Sequence, residues 1–141
     1  MEYIFKNDPL LAAVIAWFLA QFAKVVITLF RTRTLDLAKF FSSGGMPSSH
    51  SSTVTALATA IAIQDGVEST GFAIALIFAI IVMYDASGVR LAVSHQAKIL
   101  NDFFHGKMKN YKMLNELVGH TPYQVIAGAL LGVAVAAWYC S

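Results

Sequence analysis

Four stretches of this chain are dominated by apolar residues, and each breaks off where charge, glycine or proline accumulates. The first, LLAAVIAWFLAQFAKVVITLF, runs over 10–30 with a single charge, Lys24, inside it. About 20 residues of helix cross a bilayer, so this stretch predicts a membrane span. It is too long for a signal-peptide core, and no small-residue cleavage site follows it. The second, 48–64, is shorter and rich in Ala, Ser and Thr. Small side chains let helices approach closely, which places this one in the middle of a bundle. The acidic turn Gln64-Asp65-Gly66-Val67-Glu68 leads to the third, 70–90, which is apolar to Met83 and then abruptly polar. The fourth, 121–139, opens on Thr121, Pro122 and Gln124, a capping-box pattern with proline at the first helical position. Gly128 and Gly132 within it suit close packing.

The lead before Leu10 is short and of mixed charge. Between the third and fourth stretches, 91–119 is helical in pattern to Phe104, then carries Gly106, Lys107, Lys109 and Lys112. Its apolar residues suit a membrane surface or a cytosolic helical hairpin. The expectation is an all-α fold in one domain over residues 1–141: an integral membrane bundle of about four transmembrane helices, with spans near 10–30, 48–64, 70–90 and 121–139. The segment 91–119 is a helical and loop insertion between helices 3 and 4.

Composition agrees. Of 141 residues, 57% are hydrophobic and 13% charged, where a soluble domain carries roughly 25% charged residues. Mean hydropathy is +0.65. The one cysteine, Cys140, is penultimate, which rules out a disulfide framework within the chain and a zinc cluster. Net charge is +2, with no basic stripe interleaved with aromatics, so nucleic acid is not an expected partner. The expected surroundings are membrane lipids, and the small-residue helix faces admit a homo-oligomer.

Four spans put the end of helix 1, the start of helix 2, the end of helix 3 and the start of helix 4 on one side of the membrane. That side gathers Lys24, Arg31, Ser48, Ser49, His50, Asp85, Arg90 and His120. Ionisable groups inside a span cost several kcal/mol unless paired or facing water, which marks Lys24, Asp85 and Arg90 as candidates for function. The stretch Gly44-Gly45-Met46-Pro47-Ser48-Ser49-His50 opens helix 2, where unpaired N–H groups and the positive end of the helix dipole attract an anion. Proline suits the first turn of that helix. Lysine and arginine neutralise a phosphate, arginine through a planar fork. One histidine can attack phosphorus while another protonates the leaving alcohol. No cofactor or metal is required, although Asp85 leaves a metal open. His95 and His105 read as surface residues.

These residues resemble the type 2 phosphatidic acid phosphatases (lipid phosphate phosphatases), which share a core with the vanadium haloperoxidases. Lys24, six intervening residues and Arg31 match a KxxxxxxRP motif, with Thr32 in place of proline. Pro47, Ser48 and His50 match PSGH, with Ser49 in place of glycine. His120, Pro122, Val125 and Gly128 fall in register with HxPxDVxxG, with Gln124 where the aspartate belongs. The serine and arginine that precede the histidine in the third motif are replaced by Met113 and Leu114, and Ser87 and Arg90 at the end of helix 3 stand for them across the insertion. The chain is most similar to the small divergent branch described as acid phosphatase and vanadium-haloperoxidase related.

The resemblance implies a phosphatase acting on a lipid or isoprenoid phosphate monoester or diphosphate through a phosphohistidine. It makes His120 the nucleophile and His50 the general acid and base. Lys24, Arg31, Ser48, Ser49 and Arg90 would bind phosphate. Gln124 or Asp85 would serve as the partner of the nucleophile, and as a capping-box residue Gln124 has a competing duty. The alternative is a non-catalytic protein that binds or transports such a lipid. A haloperoxidase is a more distant reading, with vanadate in the same anion site. The basic residues put the active-site side in the cytoplasm.

Overall fold

The computed structural model describes residues 7–41, 44–105, 107–108 and 111–141; Gly106 and Lys109, two of the residues marking the insertion, lie outside them. The described residues form five α-helices, α1 (Asp8–Thr32), α2 (Ser49–Asp65), α3 (Thr70–Ser87), α4 (Val89–Phe104) and α5 (Pro122–Cys140), with a short 3-10 helix at Leu37–Phe41. The protein is an all-helical membrane bundle. Among the described residues three runs are long and apolar enough to cross a membrane, namely α1, α3 together with α4, and α5.

α2 packs against α1, α3 and α5, and so forms the axis of the bundle. Its sequence explains the position. Ala56, Ala58 and Ala60 are buried, and Ala12, Ala16, Ala56, Ala60, Val135 and Ala136 form one core cluster between α1, α2 and α5. With such small side chains the backbones come close enough for hydroxyls to bond across helices: Ser52 Oγ donates to the Ala16 carbonyl (2.8 Å) and Thr55 Oγ1 to the Ala129 carbonyl (3.1 Å). In a membrane each such bond contributes about 0.6 kcal/mol on average. Gly128 and Gly132 make the α5 contact possible, because a Cβ at 128 would collide with the Ser48 carbonyl and one at 132 with Thr55 Oγ1 and the Ser52 carbonyl.

α2 also starts deep. Lys24 Nζ donates to Ser49 Oγ (3.2 Å), so the first residue of α2 lies beside a residue eight positions before the end of α1. At 1.5 Å per residue that is about 12 Å below the end of α1. The chain therefore turns back along α1 after Arg33, whose left-handed backbone (φ 55°) closes the helix. The 3-10 helix packs on α1, with Phe40 against the rings of Trp17 and Phe18. Irregular backbone at membrane depth is tolerated where it is covered by protein or lines a water-filled cavity. Here Lys39, Gly44, Gly45 and Met46 of the returning chain line a cavity against α1.

Two expectations need correction. Pro47 is not in the first turn of α2: Ser48 is the N-cap, and the proline precedes it. Nor does Arg90 end the third helix. Gly88 interrupts the run with a non-helical backbone (φ −104°, ψ −92°), its N–H bonded to the Tyr84 carbonyl, and Arg90 falls in the first turn of α4. The segment expected as an insertion is helical to Phe104, as its pattern indicates.

Candidate active site

His120 sits just before α5 and is 1% exposed. Its N–H donates to the Ala86 carbonyl at the end of α3 (3.0 Å). Its Nδ1 lies 3.2 Å from Gln124 Oε1, and the same oxygen accepts from the Thr121 N–H at 3.1 Å. The two duties expected to compete for Gln124 are thus met by one atom, since an amide oxygen has two lone pairs. The pairing also fixes a tautomer. The Thr121 N–H can only donate, so the atom facing it is the oxygen, and His120 Nδ1 must carry the proton. Nε2 is then a bare lone pair, buried and without a hydrogen-bond partner among the described residues. Burial, above all, holds the His120 imidazole below its ordinary range; the Gln124 bond and the nearby Gly45 backbone oppose this, and the Lys24 and His50 charges add to it.

The other predicted residues lie at the same end of the bundle, around two cavities. The His50 and His120 ring centroids are 6.3 Å apart, with His50 exposed one residue into α2. Lys24 is 3% exposed and reaches Ser49. Lys24, Thr28 and Arg31 follow one face of α1 and line a cavity of about 390 Å³ that also takes in Gly45, Ser94, His95, Lys98, Glu116 and Gln124. Arg31 stands at this cavity's outer end, at the last turn of α1. Gly45, at φ +97°, has the Lys24 side chain against it.

Asp85 and Arg90 form an ion pair and, with His50, Ile81 and Val82, line a second cavity of about 230 Å³. Asp85 is therefore the partner of Arg90, and Gln124 is the side chain bonded to His120. Ser48 is fully buried and its hydroxyl caps α2, accepting from the Ser51 N–H (3.3 Å) and Ser51 Oγ (2.9 Å). Its hydroxyl is directed to the helix, which leaves the Lys24-bonded Ser49 as the serine beside the cationic cavity.

Several polar side chains near this end of the bundle gave no clear signal in the sequence. His95 and Lys98 line the cavity although a polar residue on an amphipathic helix looks the same whether it faces bulk water or a cavity. Gln21, one turn before Lys24, is 5% exposed, and its Oε1 has no partner among the described residues. Its place inside an apolar span is the one hint the sequence offers. Among the described residues no three His, Cys, Asp or Glu side chains come together as a metal site.

Residues 5–135 match the family described as the Divergent PAP2 family. A protein of Bacillus subtilis (strain 168), described as the uncharacterized membrane protein YuiD, is 41% identical over 145 residues, covering 92% of this chain and 92% of the relative. No solved structure matches the chain significantly. The site geometry, the membrane bundle and these similarities converge, and the chain belongs to the Divergent PAP2 family.

Proposed function

We propose that this protein is a membrane phosphatase that hydrolyses a lipid or isoprenoid phosphate monoester or diphosphate through a phosphohistidine on His120. The observation that carries this is the His120 ring itself: Nδ1 is held by Gln124, while Nε2 is buried and has no hydrogen-bond partner among the described residues, with the His50 ring close by and the Lys24 charge felt at the imidazole. A nucleophile needs its reactive nitrogen deprotonated, its other nitrogen oriented and a general acid close by.

In the first step Nε2 attacks phosphorus, the bond from phosphorus to the leaving oxygen breaks, and His50 gives that oxygen a proton. In the second, water attacks the phosphohistidine, His50 takes the water proton, and inorganic phosphate leaves with His120 restored. Lys24, Ser49 and the N–H groups opening α2 hold the phosphoryl oxygens, with Arg31 and Arg90 supplying charge from the two cavities. Such oriented donors act where charge builds up in the transition state. Release of phosphate from a panel of lipid and isoprenyl phosphates by the purified protein tests the proposal.

A second reading has its own support. Gln124 orients His120 but, being neutral, cannot stabilise an imidazolium, and the cationic cavity would bind a phosphorylated lipid without His120. A binding or transport protein would release no phosphate and would keep its affinity for such lipids in His120→Ala.

The active-site end also carries Arg33, Lys39, Lys107 and Lys112, and the positive-inside rule orients it to the cytoplasm. In a Cys140→Ser background, an impermeant thiol reagent applied to intact cells should label Asp65→Cys and spare Lys112→Cys. The opposite labelling reverses the orientation.

A further inference from the structure

The segment that leads to His120 is held from one face of α4. Ser94, Ala97 and Asn101 are the buried residues of that helix, at i, i+3 and i+7. Ser94 Oγ accepts from the N–H groups of Val118 (3.2 Å) and Gly119 (2.8 Å) and donates to the Arg90 carbonyl (3.1 Å). Asn101 is 1% exposed and uses both ends of its amide. Its Nδ2 donates to the Leu114 carbonyl (2.9 Å) and Glu116 Oε1 (2.7 Å). Its Oδ1 accepts from the Leu114 N–H (2.8 Å) and the Tyr111 hydroxyl (2.8 Å). Gly119 is pressed so closely on the Arg90–Leu91 backbone that a Cβ would overlap it.

Buried polar side chains are destabilising unless they are bonded, and here both are bonded to the strap that ends at the nucleophile. A segment serving only to join two spans would need neither. The strap is fixed to α4 through Gly119, and the next N–H, that of His120, is fixed to the end of α3.

We propose that Ser94 and Asn101 are positioning residues for His120: from α4 they set the backbone that carries the imidazole, and so keep its Nδ1 on Gln124. The proposal rests on the phosphatase reading for its kinetic consequence, but not for its geometric one. Ser94→Ala leaves two strap N–H groups without their acceptor. Misplacement by about 1 Å can slow a reaction ~10²-fold, so kcat on a lipid phosphate should fall roughly 10- to 100-fold with KM changed less than about threefold. Ser94→Thr, which keeps the hydroxyl, should recover most of the loss.

The second readout needs no turnover. In ¹⁵N-histidine spectra, assigned with His120→Asn, wild-type His120 should show a protonated Nδ1 and a bare Nε2. Ser94→Ala should show a mixture of tautomers. Tyr111→Phe, which takes a single hydroxyl from the Asn101 cluster, is the milder variant should Ser94→Ala fail to fold; it should move both readouts the same way by less. A wild type without phosphatase activity overturns the function and leaves positioning to be decided by the tautomer signal. Unchanged tautomers in Ser94→Ala, or in Tyr111→Phe where the former does not fold, overturn the positioning role. So does a fall in kcat that Ser94→Thr fails to restore.

Discussion

Replacing His120 by alanine should abolish phosphate release, with a fall of about 10⁴- to 10⁶-fold, the range seen when a member of a nucleophile-and-base set is removed. On the proposed mechanism the ring is the group that attacks, and its neighbours cannot replace it: His50 would be needed for the leaving oxygen, and Lys24 is bonded to Ser49. Binding of a lipid phosphate should survive the change, because the cationic lining of the larger cavity is untouched. On the same mechanism this ring would set the acid side of the pH profile. Its pKa is lowered, chiefly by burial, so the neutral, attacking form persists below the ordinary imidazole pKa of about 6.5. The acid limb of kcat/KM should therefore lie below that value. Stability follows the same sign. Between the folded and unfolded pKa values the unfolded chain binds more protons at this site, so this contribution favours the fold above the unfolded value and is lost as pH falls through the window.

Gln124→Glu should raise the rate roughly 10- to 100-fold, part of the ~10⁴ that a carboxylate supplies to a paired histidine elsewhere. Glutamate keeps the length of the side chain. One oxygen can still accept from the Thr121 N–H and from His120 Nδ1, so the cap and the tautomer survive while a charge is added. That charge stabilises the imidazolium and raises the His120 pKa, so the acid limb should move to higher pH as the maximum grows. Gln124→Leu should do the reverse, removing the tautomer lock and the acceptor of the Thr121 N–H. Asp85→Asn should leave the His120 tautomer alone and act through Arg90, because the carboxylate is paired there. Rate measurements over pH for the three variants separate these effects. An unchanged rate and profile in Gln124→Glu would mean that the charge state of this neighbour is irrelevant to the chemistry.

The bundle was legible in the sequence because apolar runs of span length leave few alternatives, and Ala, Ser and Thr in the second run marked the central helix. The motifs at Lys24, His50 and His120 were legible because each sits where a helix begins or, for Lys24, near where one ends. What stayed hidden was depth and partnership. Nothing in the spacing shows that α2 starts beside Lys24 rather than level with Arg31, since that depends on the return of the chain along α1. The break at Gly88 was hidden as well, because a single glycine in a helical pattern is usually tolerated. Ser94 and Asn101 looked like polar positions on an amphipathic helix, and only the strap docked on them shows that they are buried. Gln124 fitted two roles in the sequence, and only the geometry shows one oxygen serving both.

On the proposed mechanism His120 takes the phosphoryl group. Purified protein mixed with a ³²P-labelled lipid phosphate and quenched in alkali within the first turnover should carry label that is stable to base and labile to acid, as a phosphohistidine is. It should map to the peptide containing His120 and be absent from His120→Ala. Turnover without label on the protein, or label that persists in His120→Ala, would contradict the account.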